Sequence, residues 1–300
     1  METIEPRQTA PSDSVTRVGA IDLLRALTMV LMIFVNDLWS LKDIPVWLEH
    51  VPRGVDGMGL ADVVFPAFLF IVGMSLPFAI DSRRAKGDSD LLLVGHVLGR
   101  SIALLVMGVF FVNGETLNAG ATGMTALVWD TVCSVAFILI WNAYPRTMPQ
   151  WGQWGLKTTG IAILLTLAFI YRGGEDGHLI LFAPHWWGIL GLIGWSYLVA
   201  ALVTIFAHGR LIILTGTWAA FSLLSVAWAA KVVPTRLHII PEPIIDGTMT
   251  ALSLGGVVIA RLFQIFQGKN ENLRMTLVFT VIAALLITLS LYTRQFWGLS

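Results

Sequence analysis

The amino-acid sequence predicts an all-α membrane protein, a polytopic bundle of transmembrane helices with about nine spans. Two observations carry this prediction. Hydrophobic residues make up 56% of the chain and charged residues 13%, whereas soluble domains are about 45–50% apolar and about 25% charged. The chain also contains successive apolar runs of about 17–25 residues, the length needed to cross a bilayer. Because lipid offers no hydrogen-bond partners to an open backbone, we expect these runs to be helices.

The predicted spans follow one another closely and leave no room for a soluble domain. They lie near residues 20–40, 60–80, 91–112, 124–144, 156–171, 185–207, 210–231, 246–267 and 275–293. The fifth run is the shortest. Between the seventh and the eighth, the prolines of VVPTRLHIIPEPIIDG exclude a continuous helix.

The N-terminal segment, residues 1–16, is polar and lacks the apolar core and cleavage site of a signal peptide. We expect a disordered cytoplasmic tail there, followed by one transmembrane domain over residues 17–300. With the N-terminus inside, roughly two thirds of the 19 Lys and Arg residues fall on the inner side. This bias predicts a multi-pass protein of the cell inner (plasma) membrane with a cytoplasmic N-terminus.

The composition also argues against nucleic-acid binding, an internal disulfide and a bound metal. The formal net charge is zero, which gives no electrostatic case for nucleic acid. The single cysteine, Cys133, excludes an internal disulfide and a Cys-rich metal site. The six histidines form no H-x-x-x-H or H-E-x-x-H pair, so we predict no metal.

Polar groups concentrate in the first two spans. Asp22, Arg25, Met29, Met32 and Asn36 recur every three or four residues, a spacing that places them on one helical face. Such a stripe runs roughly 20 Å along the helix axis. Ionisable groups inside a membrane are costly unless they are paired or hydrated, and they often mark a functional site.

The loop after this stripe carries Trp47 and His50, and the second span opens with Asp62. An imidazole can accept and return a proton near neutral pH, and it can also carry an acyl group. A carboxylate beside it can fix its tautomer. A surface histidine and a helix-capping aspartate are the simpler interpretations, and these residues alone leave both open.

Four motifs in this stretch resemble the catalytic core of a known family. They read R-x-x-x-x-D-x-x-R, M-x-F-V-N, W-x-x-H and L-A-D-x-V-F-P-x-F-L-F-I-x-G, and the run ADVVFPAFLFIVG is the most specific of them. The family contains the lysosomal heparan-α-glucosaminide N-acetyltransferase and its bacterial relatives. FFVNGE, LIWNAYPR and HWWGILGLIGW extend the resemblance over most of the chain from Arg17.

The resemblance implies a transmembrane acetyltransferase with acetyl-CoA as co-substrate. The acceptor it implies is an amino group on an extracytoplasmic sugar or glycan, of which glucosamine is the simplest example. His50 corresponds to the catalytic histidine, as general base or acyl carrier. We expect Asp62 to orient it and Asn36 to hydrogen-bond the acetyl carbonyl. An interhelical hydrogen bond is the alternative role for Asn36.

Basic residues at the inner ends of the helices are the candidate ligands of CoA, because CoA carries phosphates and comes from the cytoplasm. We assign this role to Arg25, Arg83 and Arg100, with Asp22 beside Arg25. The positive-inside rule explains such arginines without any ligand, and a structural ion pair explains Asp22 and Arg25.

Polar and aromatic residues on the predicted outer side are the candidate contacts of the acceptor. They are Trp47, Asn113, Glu115, Trp186 and Trp187. A solvated carboxylate and an interfacial aromatic belt are the simpler interpretations of Glu115 and the tryptophans.

Membrane lipid is the other expected partner besides the acceptor. The sequence does not decide whether the protein forms a homodimer. The chain ends at Ser300, just after the ninth span, whereas the bacterial relatives continue for about two helices. We therefore expect those C-terminal helices to be absent here. A noncatalytic membrane scaffold of the same fold is consistent with that absence.

A secondary transporter of a small solute is a further alternative. Asp22, Asp62, Asp130 and Arg261 fall within predicted spans and would suit an ion pathway. Transporters often show duplicated halves with interrupted helices. The sequence shows no such repeat, and its polar groups concentrate at one end, which favours the enzyme.

Overall fold

The computed structural model describes residues 19–38, 41–52, 55, 57–175, 177–234, 239–267 and 272–297. Within these ranges every regular element is a helix, which confirms the predicted all-α class. The predicted tail over residues 1–16 lies outside the described residues.

Eleven α-helices and one short 3₁₀ helix, Val46–Leu48, make up the described part of the chain. The α-helices are α1 (Gly19–Asp37), α2 (Leu60–Ala85), α3 (Asp90–Glu115), α4 (Ala119–Thr122), α5 (Ala126–Trp141), α6 (Gln150–Ile170), α7 (Ile189–Ala207), α8 (Leu211–Ala229), α9 (Glu242–Ile245), α10 (Thr248–Gln267) and α11 (Asn272–Trp297).

By length and composition, eight of the described helices can cross a membrane: α1, α2, α3, α6, α7, α8, α10 and α11. This finding agrees with the predicted polytopic bundle. Helix α5 is also apolar but has 16 residues, a length of about 24 Å against a hydrocarbon core of about 30 Å.

The prediction that the fifth run would be short was wrong. That run forms α6, which has 21 residues, and α5 is the short one. The α5 run loses residues at both ends. Thr125 caps the helix by accepting a hydrogen bond from the Val128 amide at 3.4 Å, and the backbone becomes extended at Asn142, three residues before Pro145.

The chain divides into two compact units, one formed by residues 1–89 and 256–300 and the other by residues 90–255. In the first unit, α1 packs against α2. The contact is a cluster of buried aliphatic residues: Val35, Leu38, Ala61 and Val64. This cluster lies at the end of α1 and the start of α2, where the loop that carries His50 joins the two helices.

Within the same unit, the C-terminal part of α10 lies close to α2. A Cβ atom on Gly256 would come within 2.0 Å of the Phe70 carbonyl oxygen, so only glycine allows this approach. Farther along, Arg261 donates to the Asp81 carboxylate at 2.6 Å and to the Gln264 amide oxygen at 2.6 Å. The intramembrane arginine is therefore paired within the protein, as a structural ion pair would be.

In the second unit, α3 lies directly against the backbone at the start of α7, and Gly108 is the residue of α3 at this contact. A Cβ atom on Gly108 would lie 2.6 Å from the Gly191 backbone nitrogen. Helices α3, α5 and α6 enclose an aromatic core in which the Trp129 indole donates to the Phe110 carbonyl at 2.9 Å. Trp129 and Tyr171 are both completely buried.

We expect Gly108→Ala to destabilise the protein by about 1–3 kcal/mol, because the added methyl group forces α3 away from α7. The measurement is the midpoint of thermal unfolding in detergent. Gly99→Ala is the matched control on the same helix, since nothing lies within 4 Å of its Cβ position. Equal midpoints for the two variants would contradict the close packing of α3 and α7.

Candidate active site

His50 and Asp62 are in direct contact in the first unit. The Nδ1 atom of His50 lies 2.7 Å from Oδ1 of Asp62. His50 is the second residue after the 3₁₀ helix, in the segment that leads to α2, and Asp62 is the third residue of α2. The positive end of the helix dipole favours a negative charge at that position.

The second carboxylate oxygen of Asp62 is also occupied. It accepts hydrogen bonds from the backbone amides of Gly59 at 2.9 Å and Val51 at 3.1 Å. An ionised carboxylate can only accept hydrogen bonds, so the His50 Nδ1 atom must carry the proton in this contact. The free lone pair of the imidazole is then on Nε2.

The His50 side chain remains accessible despite this contact. Its exposed fraction is 54%, against 29% for Asp62. A half-exposed imidazole with Nδ1 held by a carboxylate can offer Nε2 to a ligand as a base or as a nucleophile. The arrangement corresponds to the histidine and aspartate of a catalytic triad.

The loop is held against α2 by a glycine. A Cβ atom on Gly59 would lie 1.8 Å from the Glu49 carbonyl oxygen. Because no side chain fits there, glycine lets the segment from Glu49 to Val51 lie directly on the start of α2. This close approach brings His50 and the Val51 amide within reach of Asp62.

A cavity of about 240 Å³ opens beside His50. Among the residues that the structure describes, its lining includes five aliphatic residues between Val35 and Leu48, together with Ala61 on α2. Glu49 and His50 are the polar residues of this described lining. The described lining is therefore mostly aliphatic, with one imidazole and one carboxylate.

Sequence reasoning did not identify Glu49. Its side chain makes no hydrogen bond or ion pair with any residue that the structure describes. Glu49 is exposed, so a ligand that carries a positive charge can reach it. Its position directly before His50 was the only signal in the sequence, and a lone loop glutamate gives no pattern that predicts a site.

The structure does not bring Asn36 or Trp47 to this cavity. Asn36 is exposed on α1, and its neighbour Val35 lines the cavity instead. Trp47 lies in the 3₁₀ helix with 67% of its surface exposed. Their proposed contacts with the carbonyl and the acceptor stay predictions.

The arginines proposed for CoA all have partners within their own unit. In the first unit, Arg25 donates to Asp22 at 2.7 Å, and Arg83 donates to Asp88 at 3.2 Å. In the second unit, the Arg100 guanidinium lies over the Tyr197 ring, 5.0 Å from its centroid. These contacts are exposed or half-buried, so a phosphate would have to compete for each group.

The side chain of Asn113 is buried and makes structural hydrogen bonds. It is completely buried. Its amide nitrogen donates to the carbonyls of Val109 at 2.7 Å and Ala183 at 2.8 Å, and its amide oxygen accepts from the Ala183 amide at 3.4 Å. These hydrogen bonds join α3 to the segment before α7. They occupy the side-chain amide, so it has little remaining capacity to bind an acceptor.

The other acceptor candidates lie elsewhere in the second unit. Glu115 is exposed at the end of α3. The Trp186 ring packs edge-on against Trp195, with 5.4 Å between centroids, and Trp187 is 54% exposed. Glu115 and Trp187 are accessible, whereas Trp186 already contacts another aromatic ring.

No group of three or more His, Cys, Asp and Glu side chains that could hold a metal ion occurs among the described residues. His238 lies outside them. The expectation of a metal-free protein stays a prediction.

Comparison with known proteins identifies one family model and two similar proteins. A family model described as a domain of unknown function (DUF5009) matches residues 17–217. Heparan-alpha-glucosaminide N-acetyltransferase of Mus musculus is 36% identical over 123 residues, which are 40% of this chain and 16% of the mouse protein. The protein of the same name from Homo sapiens is 31% identical over 120 residues, or 39% of this chain and 16% of the human protein. The matched region is thus about one sixth of each relative's length, and no solved structure matches the chain.

We expect Gly59→Ala to displace the loop and to break the hydrogen bond from Val51 to Asp62. Amide exchange at Val51 should accelerate about tenfold or more, since hydrogen bonds to charged groups contribute about 1.5–3 kcal/mol. Hydrogen–deuterium exchange of the loop checks this. Gly57→Ala is the matched control, because its Cβ would meet only the Val51 methyl groups at 3.4 Å. Unchanged exchange in Gly59→Ala would contradict the geometry.

Proposed function

Because the chain belongs to the family described as a domain of unknown function (DUF5009) and is a relative of heparan-alpha-glucosaminide N-acetyltransferase, we propose that it is a membrane acetyltransferase. The proposed reaction moves the acetyl group of acetyl-CoA to an amino group on a sugar or glycan. The observation that carries the proposal is the contact between His50 and Asp62 beside an apolar cavity.

The chemistry assigned to His50 follows from its free Nε2 atom. As the acceptor amine attacks the thioester carbonyl, Nε2 removes a proton from the amine. A carbon–nitrogen bond forms, the carbon–sulfur bond breaks, and the proton passes from the imidazolium to the departing CoA thiolate. Asp62 stabilises the imidazolium through Nδ1. A covalent route, in which Nε2 first takes the acetyl group, uses the same atom.

The developing negative charge on the carbonyl oxygen needs a hydrogen-bond donor. We keep Asn36 in this role, supported by its place on α1 next to Val35, a residue of the cavity wall.

We place the acceptor amine beside Glu49. An amino sugar is protonated near neutral pH, and a carboxylate without a partner in the described structure attracts the ammonium group. The ammonium group releases one proton to water before it reacts, and the neutral amine then lies next to the imidazole that removes the second proton during the attack. Trp47, Glu115, Trp186 and Trp187 stay proposed contacts for the rest of the sugar or glycan.

We keep Arg25 and Arg83 of the first unit, and separately Arg100 of the second, as candidate ligands of the CoA phosphates, with Asp22 as the residue that holds Arg25 when CoA is absent. Guanidinium groups suit phosphates because they can donate two parallel hydrogen bonds. In this proposal the N-terminus is cytoplasmic, the protein lies in the inner membrane, and CoA binds from the cytoplasmic side.

The decisive test uses purified protein in lipid nanodiscs with radiolabelled acetyl-CoA and glucosamine. We expect label on the amine with the wild type and no measurable transfer with His50→Ala. His96→Ala is the control, because His96 is an exposed histidine on α3. Asp62→Asn should lower kcat by about a hundred- to ten-thousandfold, since an amide stabilises the wrong tautomer. Full transfer by His50→Ala would exclude this site.

We expect Glu49→Gln to raise the KM for glucosamine about five- to tenfold, because the amide loses the attraction of the charge for the ammonium group. The KM for acetyl-CoA should stay unchanged. Glu175→Gln, at an exposed glutamate of the second unit, is the matched control. If Glu49→Gln left the KM for glucosamine unchanged, the acceptor would not bind at this carboxylate.

A further inference from the structure

We propose that the cavity beside His50 binds the hydrocarbon chain of the acyl donor. The donors would then be short-chain acyl thioesters of up to about six carbons, of which acetyl is the shortest. This inference rests on the proposed acyltransferase function and specifies the substrate class of the same site.

The size of the cavity is the first argument. An apolar cavity of roughly 150 Å³ holds a ligand as large as benzene, which has six carbons. The cavity beside His50 measures about 240 Å³. The two carbons of an acetyl group would leave most of this space without contacts, and each unfilled stretch of wall forfeits dispersion energy.

The chemistry of the wall is the second argument. Glu49 and His50 are the polar residues among those that line the cavity, and both have assigned roles at the reacting groups. A sugar ring carries several hydroxyl groups, each of which needs a hydrogen-bond partner when it is buried. The aliphatic side chains that the structure describes in this wall offer no such partner, whereas a hydrocarbon chain needs none.

The rigidity of the wall is the third argument. Val35 and Leu38 are each 6% exposed and Ala61 is 4% exposed, so the inner wall belongs to the packed contact of α1 with α2. Leu41, by contrast, is 57% exposed. The cavity therefore has a fixed inner end that limits chain length and an accessible edge at Leu41.

The transfer step is unchanged by chain length. The amine nitrogen forms a bond to the acyl carbon, the carbon–sulfur bond breaks, and the amine proton leaves through His50 to the CoA thiolate. The hydrocarbon chain takes no part in the bond changes. Its burial increases the affinity for the donor and holds the carbonyl next to the imidazole.

The experiment measures kcat/KM for acetyl-, butyryl-, hexanoyl- and decanoyl-CoA, with glucosamine as acceptor and the wild-type protein in nanodiscs. Each buried methylene should raise kcat/KM about fourfold, so butyryl-CoA should exceed acetyl-CoA about fifteenfold. The decanoyl chain should be used less well than hexanoyl because it exceeds the cavity. If kcat/KM fell steadily as the acyl chain became longer, the inference would be wrong, and the proposed acetyltransferase function would still stand. Failure to use any thioester would overturn the proposed function itself.

A pair of variants tests the cavity directly. Leu41→Trp should fill the accessible edge and lower the ratio of hexanoyl to acetyl use about tenfold or more. Leu23→Trp is the matched control, since Leu23 is 70% exposed on α1 and does not line the cavity. Both positions are exposed, so both variants should fold. If Leu41→Trp left the ratio of hexanoyl to acetyl use unchanged, the hydrocarbon chain of the donor would not bind in this cavity.

Discussion

The arrangement of the site depends on one carboxylate at the start of a helix. Asp62 receives the imidazole of His50 on one oxygen and the amides of Gly59 and Val51 on the other. Three donors and the dipole of α2 keep the group charged and fixed. In return, Asp62 fixes the loop on α2 and sets which nitrogen of His50 is free. A single interaction thus couples the local fold to the proposed chemistry.

The cavity follows from the same loop. The chain leaves α1 at Leu38 and returns to α2 through Glu49 and His50, with aliphatic side chains between them facing α1 and Ala61. Glycine at position 59 lets the backbone approach closely enough for this return. The imidazole, the carboxylate of Glu49 and an apolar wall therefore meet at one place. An acyl transfer to an amine needs a base, a site for a cation and a site for a hydrocarbon group, and this loop supplies all three.

The helices were predictable because apolar runs in lipid have few alternatives, and His50 and Asp62 were singled out by the motifs around them. The ends of α5 were not, because a cap at Thr125 and an extended Asn142 outweigh apolar composition. Asn113 seemed available at the end of a span, yet tertiary packing buries it against Ala183. Glu49 was missed because its position beside the cavity depends on the return of the loop, which no short sequence pattern encodes.

The most direct test of the central claim is the tautomer of His50, measured by ¹⁵N NMR on protein labelled at histidine and reconstituted in nanodiscs. The signals of His50 can be assigned by their loss in His50→Gln. For the neutral form of the ring we expect the proton on Nδ1 and none on Nε2, and in Asp62→Asn we expect a larger share of the tautomer with the proton on Nε2. A proton on Nε2 with a bare Nδ1 would contradict the account, because the nitrogen that faces the substrate could then neither remove a proton nor accept an acyl group.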